Sequence, residues 1–374
     1  NSGTLTVSNS TISGNTANNG GAGIFNQGTL TVSSSTLSGN TTNDNGGGIF
    51  NGGSGTATVF NSTISNNASN NYGGGISNSG SLTITNSTLS GNSANITGGG
   101  IFNPGTLTIA DSTLSGNSAT NFHGGGIGNR YGTLTVSNST LSGNSASSQG
   151  GGIFNFRGNL NISNSTLSGN SANNTGGGIY NLTDPVGTLN IANTIIANST
   201  SGSDFVGFAP NTNTNNLVET LGTVTGTFTP AFTADPLLGT LANNGGPTFT
   251  MALLTGSPAI GAGDATISNA APINGLDQRG INRTTSDIGA YSYGIQVTTT
   301  ADAGAGSLRQ AIDDANSSPG NDQISFNLTG TNPYTITLAT ALPNIVDEST
   351  AGTLTITGLG ASSLTIDYNQ GNFS

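Results

Sequence analysis

A block of about 25 residues recurs along the first half of the chain. GTLTVSNSTISGNTANNGGAGIFNQ, from Gly3, returns as GTLTVSSSTLSGNTTNDNGGGIFNG from Gly28. Further copies begin at Gly55, Gly80, Gly105, Gly132, Gly158 and Gly187, so that successive starts lie 25, 27, 25, 25, 27, 26 and 29 residues apart. A sustained period of this length restricts the fold to a solenoid, in which each copy is one coil that buries apolar side chains only against its neighbours. One coil cannot offset the entropy of its own ordering, so only the stack is stable.

Within each copy Thr4-Leu5-Thr6-Val7 and its equivalents alternate polar and apolar, and so do the stretches around Ile12 and Ile24. This is the period of β-strands, separated by Gly and Asn turns. The expected fold is all-β: a right-handed parallel β-helix of about eight coils with three short strands per coil. At a strand spacing of ~4.8 Å, eight coils make a rod about 40 Å long. Stacking aligns Leu5, Leu30, Leu82, Leu107, Leu134, Leu160 and Leu189 into an internal column, and Ile24, Ile49, Ile76, Ile101, Ile127, Ile153 and Ile179 into another. Asn recurs at Asn26, Asn51, Asn78, Asn103, Asn129, Asn155 and Asn181, and again at Asn15, Asn40, Asn67, Asn92, Asn117, Asn144 and Asn170. Asn tolerates left-handed turns, and stacked amides can bond one coil to the next, so two structural Asn ladders are expected. In the eighth copy Asn198 falls one position early relative to Ile196, and the regular stack is expected to end near residue 200.

Composition narrows the function. The 374 residues include 60 Gly, no Cys, no Trp and only 6% charged side chains. Arg130, Arg157, Arg279, Arg283 and Arg309 are the cations, against 16 carboxylates, for a net charge of -11. Without a basic stripe a nucleic-acid partner is not expected. No apolar run approaches the ~20 residues that span a bilayer, so membrane insertion is not expected either. The regular Leu, Val and Ile argue for order over disorder. Absence of Cys suits an exported protein.

The GTLTVSNSTLSGNSA and GGGIFN repeats of residues 1–200 resemble those of bacterial surface β-helix proteins, including the polymorphic outer-membrane and choice-of-anchor families. GGPTFTMALLTGSPAIGAGD (Gly245 to Asp264), with DQRG from Asp277 and DIGAY from Asp287, resembles the choice-of-anchor Q domain of exported bacterial proteins. Residues 201–296 are therefore expected to be an end region, with Leu253, Leu254, Pro258, Ala259 and Ile260 covering the last coil and protecting its open edge. Residues 297–374 resemble the opening of such a solenoid. A short capping helix is expected near 307–316, where Leu308, Ala311, Ile312 and Ala315 share one face.

The chain starts within a coil, and its end read into its start gives N-F-S-N-S-G-T-L-T-V, in phase with Gly23 to Val32. Head-to-tail stacking of copies, as a tandem polypeptide or as a filament, is expected, with Asn1, Gly3, Leu5, Leu308, Ile312 and Phe373 at the joint.

Catalysis on a β-helix needs clustered carboxylates. Residues 1–200 hold only Asp44, Asp111 and Asp184, in separate coils, so no catalytic residue, cofactor or metal site is expected there. The lone His123 reads as a solvated loop residue. Phe122, His123, Arg130, Tyr131, Phe156 and Arg157 gather on neighbouring turns as a candidate patch for a sugar ring or a partner surface. Asp264, Asp277, Arg279, Arg283 and Asp287 read as an ion-pair network, with a Ca²⁺ site as the alternative. The repeated T-x-T pairs, such as Thr106 and Thr108, also suit ice binding, although Asn159, Asn161 and Asn190 interrupt them. The favoured function is an extracellular structural protein at the cell surface, a fibre or stalk unit. The alternative is an adhesin that holds a cell-surface glycan or a protein, with a polysaccharide-active enzyme or an ice-binding protein ranked below it.

Overall fold

The structure is a computed structural model describing residues 1–374 apart from 184–185, 255, 282, 284–285, 317–321, 327, 329, 346–353 and 369–374. The chain divides into two compact units, Asn1–Tyr291 and Ser292–Ser374. The first is a parallel β-solenoid. Phe373, expected at the joint between copies, and Asp184 lie outside the described residues.

One coil is traced by its first copy: Thr4–Ser8, Thr11–Ser13, Thr16–Ala17 and Ile24–Asn26 are strands of four different parallel sheets, here sheets 1 to 4. The expectation of three strands per coil is thus corrected to four. The extra strand is only two residues long, too short to show an alternation in sequence. Sheets 1, 2 and 4 each contain nine strands and sheet 3 contains seven. The stack therefore has nine layers, not eight, and it runs past residue 200. Phe205–Phe208, Thr212–Thr214, Leu217–Val218 and Leu221–Thr225 extend the sheets, and Phe228 packs edge-on against Phe205 at 4.8 Å in the core of the final layers.

Identical positions pair from layer to layer. Leu5 lies on Leu30, Val7 on Val32, and Ile24 on Ile49. From Leu30 and Ile49 onward the inward columns are fully buried and form one continuous core. Even the glycine turns are in register: Gly73, Gly74 and Gly75 donate to the carbonyls of Thr97, Gly98 and Gly99. A Cβ on Gly75 would stand 2.7 Å from the Gly100 carbonyl oxygen, so the repeated glycines allow backbone layers to touch.

Phe228 and Phe232 still pack on the final layers, but the run from Leu253 to Ile260 does not cover the last coil as expected. Residues from Thr248 to Tyr291 run along the outside of sheet 2 as a strap. Phe249 accepts from the Thr113 hydroxyl of layer 5, and Gln278 Oε1 accepts from Thr140 of layer 6 at 2.6 Å. Ser268 meets Asn164 and Asn193 of layers 7 and 8, and the Ala262 carbonyl meets Asn215 of layer 9. Burial records the cover. Thr113, Thr140 and Thr166 are at most 1% exposed, whereas Thr36, Thr63 and Thr88, at the same position in layers 2 to 4, are half-exposed. Leu253 and Ala259 are buried within the strap and Leu254 is 49% exposed, so this run closes no core of the solenoid.

In the second unit the helix is where the spacing puts it, at Leu308–Asn316, with Leu308, Ala311, Ile312 and Ala315 buried. They pack with Ile295, Val297, Ile324 and Ile336 in a separate core. Its strands again pair in parallel, Asp322–Phe326 with Leu354–Thr357 and Tyr334–Leu338 with Leu364–Tyr368. Leu308 and Ile312, expected at a joint between copies, are instead 1% and 2% exposed inside this unit.

Candidate functional site

Both Asn ladders form. From Asn26 through Asn51, Asn78, Asn103, Asn129 and Asn155 to Asn181, each Nδ2 donates to the next Oδ1 at 2.8 Å, and Asn1 joins the same ladder through Asn26 at 2.8 Å. From Asn15 to Asn170 the second ladder runs at 2.8 to 3.0 Å, and each Oδ1 also accepts the backbone N–H one layer below. These asparagines are not the left-handed residues. That role falls to a different column, Asn9, Ser34, Asn61, Asn86, Asp111, Asn138, Asn164, Asn193 and Asn215, all with φ between 44° and 51°. Past Asn170 the second ladder stops: Asn198 takes the left-handed turn position with φ 57°, and the buried hydroxyl of Ser199 has no partner among the described residues. A third polar column escaped the sequence reading. Ser35, Ser62, Ser87, Ser112 and Ser139 each offer Oγ to the backbone N–H of the layer below while donating to their own i−2 carbonyl. The repeated S-T of NSTLSGN was its signal.

Sheet 4 carries an outward aromatic column: Phe25, Phe50, Ser77, Phe102, Gly128, Phe154, Tyr180 and Val206 lie one on another. At Ser77 and Gly128, between ring-bearing layers, a turn residue five positions earlier supplies the missing ring. Tyr72 stacks on Phe102 at 4.5 Å, and His123 stacks on Phe154 at 4.4 Å with the rings 13° apart. His123 is thus half-buried, not solvated. Its Nδ1 is buried with no partner among the described residues, and burial pushes the imidazole pKa below its ordinary 6.5. A cleft of about 420 Å³ opens here, lined by Tyr72, Phe122, His123, Arg130, Phe154 and Phe156 together with Ile96 and Thr97. Gly128 allows Thr97 to pack where it does, because a Cβ there would lie 2.2 Å from the Thr97 methyl.

Four of the six patch residues read from sequence line this cleft, and Tyr131 and Arg157 flank it. Layers 5 and 6 run one residue further in sheet 4, as Ile127–Arg130 and Ile153–Phe156, before left-handed bends at Tyr131 and Arg157. The Arg130 guanidinium sits 5.7 Å from the ring centroids of both Tyr131 and Phe156, and that of Arg157 lies 5.4 Å from Phe156. Tyr72 and Phe154 were not foreseen.

The strap's charged residues split. Asp277 and Arg279 form a buried ion pair at 2.6 Å, and Arg279 lies 3.7 Å from the Tyr291 ring centroid. Arg283 donates to Asn138 at 2.9 Å and to the Gly289 carbonyl at 2.8 Å. Asn138 in turn donates to Asp111 at 2.7 Å, so the strap is tied to layers 5 and 6. Burial raises the Asp111 carboxyl above its ordinary value, and the Asn138 hydrogen bond opposes the shift. Asp287 accepts from the Gly261 N–H at 2.7 Å. Asp264 stands apart from this group as the N-cap of the short helix Ala265–Asn269, accepting from the Thr266 N–H at 2.8 Å.

Sheet 1 presents the T-x-T positions outward and uncovered, and its interruptions bond to one another, Asn190 donating to Asn161 at 2.8 Å. Among the described residues no group of three or more His, Asp or Glu side chains could hold a metal ion, and no helix is long and apolar enough to cross a membrane. Compared with protein families, with curated proteins and with solved structures, the chain matches none.

Proposed function

We propose that the chain is a non-enzymatic structural segment of an extracellular bacterial surface protein, a stiff solenoid spacer whose copies stack head to tail, joined in one tandem polypeptide or as separate chains. The observation that carries this reading is the continuity of bonding between layers. Amide, hydroxyl and backbone columns repeat the same pairs from layer to layer, so stiffness along the axis is supplied by the fold itself. The non-enzymatic part is supported by the described carboxylates of layers 1 to 7, which stand apart, Asp44 with Asn71 at 3.1 Å and Asp111 with Asn138 at 2.7 Å, and by Asp204 and Glu219 further on being taken up by the N–H groups of Ser199, Thr220 and Asn198. The surface setting is supported by the resemblance of the repeats and of the Gly245–Tyr291 motifs to exported bacterial proteins. Electron microscopy of the full chain at rising concentration is the test. Rods in multiples of one unit length are expected, and particles of one short length at every concentration would overturn the stacking of separate chains. For material from its source, denaturing electrophoresis separates subunits near 36.8 kDa from a larger tandem species. Release of reducing ends from any polysaccharide would overturn the non-enzymatic assignment. An adhesin that binds glycan through exposed turns is the second reading, and the aromatic cleft on sheet 4 favours it.

A further inference from the structure

The cleft combines three things found together nowhere else among the described residues of the solenoid. The first is an open aromatic surface. Phe122 is 48% exposed and Phe156 half-buried at a recess of about 420 Å³, within the roughly 300–1,000 Å³ of small-ligand sites. The second is a cation free to act. Arg130 is exposed, pairs with no carboxylate among the described residues, and stands on a protein of net charge -11. The rings of Tyr131 and Phe156 engage its guanidinium at 5.7 Å, and contacts of that kind leave an arginine's in-plane N–H fork able to take an oxyanion bidentately. The third is the unpartnered Nδ1 of His123, a polar atom without the hydrogen bond that buried groups ordinarily have.

An apolar ligand would leave Arg130 and His123 unused, and a bare anion would leave the rings unused. A pyranose with a carboxylate uses all three: its C–H face meets the negative face of an aromatic ring, its carboxylate meets the guanidinium, and a hydroxyl reaches the imidazole. We propose that this cleft binds the acidic sugar units of a uronate-containing glycan, with Arg130 taking the carboxylate, Phe122 and Phe156 holding the ring, and His123 bonding a hydroxyl. Gly128 supports this lining from behind, since a Cβ at that position would stand 2.2 Å from the methyl of Thr97, a lining residue, and would displace it. This inference deepens the adhesin reading and does not depend on stacking.

The test is calorimetry of the full chain with a galacturonate tetramer, a glucuronate-containing tetramer, the neutral galactose tetramer, and a short peptide ending in a free phenylalanine carboxylate. At least one acidic tetramer is expected to bind, with the neutral sugar about tenfold weaker or more, and with affinity falling as salt rises. Arg130→Gln and Phe122→Ala, both at exposed positions, are each expected to weaken acidic-sugar binding about tenfold while the melting temperature stays unchanged. Four results would each overturn the proposal: no binding of either acidic tetramer, equal binding of the neutral one, unchanged affinity in both variants, or preference for the peptide. Each would leave the microscopy of stacked rods untouched, so failure of this proposal and failure of the structural reading remain separate.

Discussion

At the scale of single residues, the side chains that decide the fold here are mostly uncharged and buried. An amide in a dry column is secure only when its neighbours above and below answer it, and the Asn26 to Asn181 ladder does so at a uniform 2.8 Å. These columns were legible because a stacked position must repeat in sequence. Which Asn takes the left-handed turn was not legible, since several recur with the same period and the choice depends on backbone path. His123 was misread for a related reason: its stacking partner, Phe154, is 31 residues away in sequence, and the clue was the missing side chain at Gly128. Its burial has a measurable consequence. The folded-state pKa lies below the ordinary 6.5, so the unfolded chain takes up the proton first as pH falls. The contribution of the neutral imidazole is complete above the unfolded value and is lost on acidification through it toward the folded one. Between pH of about 7.5 and 5.5 the melting temperature of the native chain should therefore fall more than that of His123→Phe, which keeps a ring on Phe154 without a titrating group. Parallel profiles for the two proteins would show that the imidazole is not held neutral by its burial.

At the scale of the element, each strand is read by its two-residue alternation. Leu107 is fully buried while Thr106 is exposed, and both pair with their equivalents on either side. Leu107→Asp is expected to cost about 3–5 kcal/mol and to collapse folded yield, because the carboxylate enters a core with no partner. Thr106→Asp should change stability by about 0.5 kcal/mol or less, since its side chain already faces water. Urea titration of the two variants decides, and equal losses would mean that the faces are exchanged by a one-residue slip. Strands of five residues and the helix Leu308–Asn316 were legible because each spans enough residues to display its period. Two-residue strands such as Ser93–Ala94 display none and were missed.

At the scale of the whole first unit, the strap was placed wrongly from sequence. An apolar run such as Leu253 to Ile260 is equally suited to closing an end or lining a flank. What selects the flank is the hydroxyl column of sheet 2 and a few polar side chains that meet it. Gln278 is the chief of these, within hydrogen-bonding distance of Thr140, Thr113, Thr248 and the carbonyls of Ser112 and Phe249. Gln278→Ala should leave buried hydroxyls unanswered and loosen the strap locally, by about 2–3 kcal/mol. Amide hydrogen exchange is expected to quicken across residues 244–290 while the columns of layers 1 to 4 keep their protection. Uniform quickening through the solenoid would show strap and stack to be one cooperative unit. The strap also acts as a ruler. Coils can be gained by duplication or lost by deletion of near-identical repeats, and each accounts for ~4.8 Å of axis. Among layers 1 to 4 such a change displaces none of the strap's described hydrogen bonds, so coil number there is free to drift. Between Thr113 and Asn193 it would change the separation of the footholds of Gln278 and Ser268 by one layer, and a strap of fixed length would no longer fit both. The solenoid is thus open to growth on one stretch and held to a fixed count on the other.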